Sequence, residues 1–168
     1  IAGVKMCEAF NKQYKTNYIC LMPANTYGPN DNYNSLNSHF FPALIKKVHL
    51  AIKNNKKEIT LWGNGKPKRE VIYVDDLAEA CVFFMKKKTK HSLINIGTGK
   101  DKSINEYAKL IMKFFDVKLK KKYINRSLTG TPRKLLNISK AKKYGWRTKT
   151  DIKKGLKLTF ESFKRAYK

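Results

Sequence analysis

Segments of strand character and segments of helical character alternate along the whole of this chain, and that alternation restricts its fold more than any other feature. A helical pattern over 1–15, with Val4, Cys7, Phe10 and Tyr14 at helical spacing, is followed by a short apolar strand over 17–23 that ends at Pro23. Residues 24–38 are rich in Asn, Ser, Gly and Pro and are expected to form one long loop. A helix over 39–53 follows, whose apolar stripe is read as Phe40, Leu44, Val48 and Ile52. Strands are then expected over 58–62 and 69–74 around a turn at 63–68. Asp75 and Asp76 suit the positive end of the next helix, and the lysines at its far end suit the negative one. A strand over 92–99 runs into a Gly turn, and Ser103 with Glu106 forms a capping box for a helix over 103–115. A strand over 117–124, a loop over 125–137, a short helix ending at Gly145 and a terminal helix capped by Asp151 complete the pattern. Alternation of this kind predicts an α/β fold with a parallel sheet, or the lobe appended to one.

Charge enters next, because 37 Lys and Arg against 12 Asp and Glu give a formal net charge of +25 over 168 residues. Only Arg69, Arg126, Arg133, Arg147 and Arg165 are arginines, and lysines are scattered through almost every segment. Nucleic-acid sites favour Arg, with its paired donors, and concentrate charge on one face. The scatter therefore points to a solvated Lys-rich surface, with no specific nucleic-acid partner. No apolar run approaches the roughly 18 residues that would span a bilayer. Cys7, Cys20 and Cys81 are dispersed in apolar surroundings and are read as packed core thiols of a cytoplasmic, reducing compartment. His49 and His91 stand alone in Lys-rich sequence and are read as surface residues, and no ligand cluster indicates a metal.

Three segments could carry chemistry. MPANTYGPNDN places Asn, Thr and Gly just beyond a strand's carboxyl end, where open α/β sheets bind their ligands. His39 opens the helix that closes this loop and is available either as a cap or as a proton donor. WGNGKPKRE gathers Trp62, two glycines and Arg69, groups that can stack on a base, admit a close backbone and grip a pyrophosphate. Neither a GxGxxG nor a GxxxxGK[ST] phosphate loop is present.

Together, MPANTYGPNDN, NSHFFPALI, WGNGKPKREVIYVDDLAEA, INIGTG and GTPRKLLN resemble the extended short-chain dehydrogenase/reductase family. The NTYGP and VDDLA passages are shared widely by its sugar-nucleotide epimerases and dehydratases. NSHFFPALI, WGNGKPKRE and GTPRKLL are similar to its GDP-L-fucose synthase branch. The resemblance covers 1–168 and implies the C-terminal half of such an enzyme, the last strands and helices of an NAD(P)-binding Rossmann fold with a substrate lobe built mainly from 29–70 and 100–168. A helix with no cap before Ile1 agrees with that expectation. By the resemblance, Ile1 follows a catalytic Lys, so that the phosphate turn, the catalytic Tyr and Lys and a catalytic Cys lie outside this chain, which is then expected to be inactive alone.

The same resemblance implies an NADPH-dependent epimerase-reductase acting on GDP-4-keto-6-deoxy-D-mannose, another sugar-nucleotide epimerase or dehydratase being the alternative. Pro23, Ala24, Asn25 and Thr26 would line the nicotinamide end of NADP(H). His39 would touch the cofactor and act as the acid in epimerisation. Lys47, Trp62, Arg69 and Thr129 would bind the GDP-sugar, and the working enzyme would be a homodimer using its first helix. Three positions depart from the family pattern: Thr129 and Asn137 stand where Asp is common, and Lys47 where Arg is common, which keeps charge without two-point binding.

Overall fold

The computed structural model describes residues 1–34, 37–125 and 130–167. In chain order the elements are α1 (Ala2–Tyr14), β1 (Cys20–Pro23), β2 (Asn25–Tyr27), α2 (Phe40–Lys53), β3 (Glu58–Trp62), β4 (Lys68–Tyr73), α3 (Val74–Met85), β5 (Leu93–Ile96), β6 (Asp101–Ser103), α4 (Ile104–Phe114), β7 (Lys120–Ile124), β8 (Arg133–Lys134), α5 (Ser139–Lys143) and α6 (Ile152–Ala166). Parallel pairing dominates, as the alternation predicts. β1 pairs with β5, β2 with β4, β3 with β7 and β8 with β4, while β6 joins β4 antiparallel.

β4 organises the centre because its two halves have different neighbours. Residues 71–73 pair with β2, and residues 68–70 pair with β6, with β8 alongside 68 and 69. Side chains alternate along a strand, so Arg69 remains half-buried while Glu70 turns into the interior, 1% exposed. The Glu70 carboxylate accepts from the backbone of Gly99 at 2.6 Å and of Leu136 at 2.9 Å, and from the Thr98 hydroxyl at 3.3 Å. Gly99 can meet it because its φ of +70° gives the turn a shape that residues with a Cβ rarely adopt. Arg133 pairs with Asp101 at 2.5 Å, which fastens β8 to the same edge.

Local signals set several boundaries. Ser103 and Glu106 make the expected capping box of α4, and Asp151 caps α6 by accepting from the amides of Lys153 and Lys154. Each such cap stabilises its helix by about 1 kcal/mol. Two hydrophobic clusters result. One gathers Tyr27, Phe41, Ile45, Val48, Leu61, Tyr107, Ile111 and Phe163 from α2, α4, α6 and the strands between them. The other packs Ile72, Phe84, Ile94, Ile96 and Trp146 around β1, β5 and α3.

The structure corrects four expectations. The long loop is interrupted by β2, because Tyr27 is 3% exposed and anchors the strand against β4, and Asn25 and Thr26 contribute backbone pairing despite their loop-like character. The α2 stripe is rotated: Phe41, Leu44, Ile45, Val48 and Ala51 are buried and Ile52 is exposed, while Phe40 is half-buried, packing against the rings of Phe41 and Tyr107 and lining a cavity. The cysteines are not core thiols. Cys7 and Cys20 are half-buried and Cys81 is exposed, since α1 buries none of its residues and Cys81 lies on the outer face of α3. His49 and His91 are half-buried rather than free on the surface, His49 against the rings of Phe160 and Phe163 and His91 against Tyr144.

Candidate active site

Two cavities flank the N-terminus of α2. The first, about 340 Å³, has apolar walls from Phe40, Leu44, Leu50 and Leu61, with Lys47 and Trp62 among the residues that line it. Lys47 is held in place: its ammonium donates to the carbonyl of Thr60 on β3 at 2.9 Å, and burial pulls its pKa below the usual lysine value. An ammonium that has given up much of its water and only one of its three protons offers the remaining two to an anion at reduced desolvation cost. Trp62, at the end of β3, is 64% exposed and presents its ring beside the cavity, where a planar group can stack on it. Lys46 also lines the cavity, but its ammonium is already engaged. Its ammonium donates to the carbonyl of Tyr33 at 2.9 Å and lies over the Tyr167 ring.

The second cavity, about 420 Å³, is lined by Ala24, Asn25, Thr26, Gly28, Asp31 and His39 among others. It opens where β1 runs into β2, beyond the carboxyl end of the β1–β5 pair. Ala24 continues that pairing through its amide to Ile96 at 2.9 Å. Asn25 donates its side-chain amide to the carbonyl of Glu70 at 2.7 Å, which fixes the strand while leaving its side-chain oxygen available. Gly28 is tightly enclosed, since a Cβ there would collide with Val74. Pro23 ends β1, exposed and outside this lining. His39 occupies the N-cap of α2 but makes no side-chain capping bond, so its exposed imidazole is not committed to the helix. α2 begins without the usual Ser, Thr, Asp or Asn cap, and this leaves the imidazole free for other chemistry.

The proposed groups thus separate. Lys47 and Trp62 share one cavity, and Ala24, Asn25, Thr26 and His39 share the other. Arg69 lines neither. Its guanidinium Nη1 donates to the carbonyls of Lys68 at 2.8 Å and Thr131 at 2.7 Å, holding the segment after Gly130 against β4. Thr129 lies outside the described residues. Asn137 serves α5, its side chain accepting from the amide of Ser139 at 3.0 Å. Among the described residues, no group of three or more His, Cys, Asp or Glu side chains could hold a metal ion, and no helix is long and apolar enough to cross a membrane.

Sequence reasoning did not single out Asp31. One carboxylate oxygen accepts from the amide of Asn32 at 2.7 Å, while the other is buried with no hydrogen-bond partner. Burial raises the Asp31 pKa, opposed by that amide, by the nearby His39 and by the backbone amide of Gly28. Within a loop rich in Asn, Ser, Gly and Pro, nothing local to Asp31 signals a neighbour eight residues away.

The comparisons with known proteins bear on this geometry. The model of the NAD dependent epimerase/dehydratase family matches residues 1–97. A GDP-L-fucose synthase of Escherichia coli (strain K12) is 38% identical over 97% of this chain and 54% of its own length. GDP-L-fucose synthase 1 of Arabidopsis thaliana is 40% identical over 96% of this chain and 50% of its own. The chain therefore spans about half the length of the curated relatives it matches. Among solved structures, a GDP-mannoheptose C4 reductase from Campylobacter jejuni with NADP bound superposes with a TM-score of 0.83 at 30% identity, covering 97% of this chain and 57% of that one.

Proposed function

The chain belongs to the NAD dependent epimerase/dehydratase family, and on that premise we propose that it supplies the sugar-nucleotide lobe and the cofactor-flanking strands of an NADPH-dependent epimerase-reductase that converts GDP-4-keto-6-deoxy-D-mannose to GDP-L-fucose. The observation that carries this reading is the pair of cavities on either side of one helix N-terminus, one bordered by His39 and the other by Lys47 and Trp62. Similarity to GDP-L-fucose synthases over 96–97% of the chain supports the choice of substrate.

In this reading the guanine base stacks on Trp62, and the diphosphate meets the Lys47 ammonium. His39 protonates carbon next to the sugar's keto group, where the hydrogens are acidic enough to be exchanged. The cavity at the β1–β2 junction is matched to the nicotinamide end of the cofactor, because Asn25 and Thr26 offer polar groups to it. NADPH, when bound there, supplies the hydride that reduces the ketone. Arg69 acts by holding the 131–134 segment beside the lobe, and Thr129 contributes a hydroxyl to the sugar. The lobe comprises mainly 29–70 and 100–168. The same reading makes the enzyme a cytoplasmic homodimer, with α1, none of whose residues is buried here, as the element offered to the partner.

Trp62 provides the test, because the other tryptophan, Trp146, is 2% exposed. In a Trp146→Phe background, GDP is expected to quench Trp62 emission, and Lys47→Ala to raise the Kd at least tenfold. Assayed together with the family's dinucleotide-binding half, the protein is expected to consume NADPH with GDP-4-keto-6-deoxymannose, and His39→Gln to suppress solvent-deuterium incorporation into the product. Emission unchanged by GDP, or turnover confined to UDP-linked sugars, overturns the reading.

A further inference from the structure

A third cavity, of about 470 Å³, lies between the β2–β4 pair, the turn joining β5 to β6, and the segment entering α6. None of the residues assigned above to cofactor or nucleotide sugar lines it. Its aromatic walls include Tyr27, 3% exposed, Tyr73, 4% exposed, and Tyr107, 1% exposed. The Tyr107 hydroxyl is satisfied, donating to the carbonyl of Arg69 at 2.9 Å. The hydroxyls of Tyr27 and Tyr73 make no hydrogen bond to any described group, and neither oxygen is sealed from solvent, so both can be reached by a bound molecule. Gly155, in the first turn of α6, leaves the space the Tyr27 hydroxyl occupies, since a Cβ there would collide with it. Burial pushes both phenols above the usual tyrosine pKa, so each is a neutral donor at physiological pH.

The charged groups around the cavity are unequally engaged. Lys100 and Lys102 are exposed and pair with no described carboxylate, while Lys149 pairs with Glu79 at 3.0 Å. The acidic groups nearby are occupied. Asp151 accepts from the amides of Lys153 and Lys154, Asp76 from Thr150, and Asp101 from Arg133. The interior thus carries neutral donors and aromatic faces, and Lys100 and Lys102 add uncommitted positive charge.

We propose that this cavity is a second ligand site, taking a monosaccharide phosphate whose hydroxyls meet Tyr27 and Tyr73 and whose phosphate meets Lys100 and Lys102. A molecule hydroxylated at one end and dianionic at the other matches the two kinds of group that line it. Tyr27 also borders the cavity at the β1–β2 junction, so the two cavities are neighbours, but the proposal does not depend on the catalytic reading.

Glucose 6-phosphate added to the isotopically labelled 168-residue chain is expected to shift the amides of 98–102 and 148–152 saturably, with those around Trp62 unmoved. Tyr27→Phe combined with Tyr73→Phe, which removes two oxygens and keeps both rings, is expected to weaken binding at least tenfold. Lys100→Ser with Lys102→Ser, both on the surface and safe for folding, is expected to weaken it comparably and to flatten its salt dependence. Glucose alone and inorganic phosphate alone are expected to bind at least tenfold more weakly than the ester. The proposal is overturned by the absence of a saturable shift, by shifts centred on Trp62, by undiminished binding to the double Phe variant, or by inorganic phosphate binding as tightly as the ester.

Discussion

The cluster under α2, α4 and α6 is deeply buried by its own elements, with Phe41 packed edge to face on Tyr107 and tilted against Tyr27, and Phe163 joining it from α6. The cluster around β1, β5 and α3 is shallower. Beside it α1 buries no residue, and Met6, Phe10, Tyr14, Val82 and Met85 are all exposed. The difference teaches how the site is supported. Lys47 and Trp62 project from elements of the enclosed cluster, and the cavity at the β1–β2 junction sits where the shallower one begins. A lobe that packs itself can hold its ligand groups in position without outside help.

The sharpest attempt to break this contrast compares two phenylalanines. Phe41→Ala, in the enclosed cluster, is expected to cost about 3–5 kcal/mol in chemical denaturation. Phe10→Ala, on α1, is expected to change stability by no more than about 0.5 kcal/mol. Similar losses from both would erase the distinction. A middling effect is expected at the join between the clusters, where Glu70→Gln turns an acceptor of three hydrogen bonds into one that must aim a donor at some of the same groups. The loss is about 2–3 kcal/mol, visible as faster hydrogen exchange at the amides of Gly99 and Leu136.

The smallest effect concerns Asp31. Its folded-state pKa is raised above 3.8, so at neutral pH the charged carboxylate destabilises the fold, and that penalty disappears as pH falls through the folded value. Asp31→Asn is accordingly expected to raise Tm by about one or two degrees at pH 7, with the gain closing as pH approaches 3.8. A gain that persists in acid would show that the side chain's shape, not its charge, is responsible.

Much of this architecture was legible because its signals are local. The capping box at Ser103 and Glu106, the Asp151 cap and the strand–helix alternation each act within a few residues, and each appears as expected. What escaped depends on distant partners. β2 exists because Asn25, Thr26 and Tyr27 find β4 some 45 residues away, and no local pattern announces that pairing. The phase of the α2 stripe escaped because Phe40 both packs on Phe41 and Tyr107 at the core's edge and walls a cavity, while Phe41 and Ile45 take the interior. At the site, the residue types near His39 could be named from the sequence, but the unpaired oxygen of Asp31 and the Thr60 contact of Lys47 follow only from packing.

α2 has one more consequence in the proposed reading. His39 and Lys47 are eight residues apart on one rigid helix, an axial rise of about 12 Å. Such a helix works as a ruler. A molecule that must reach both groups is chosen by the span between its reacting carbon and its charge before its finer shape matters. Lengthening or shortening the ligand by one phosphate or one sugar would then be harder to accommodate than altering the sugar itself.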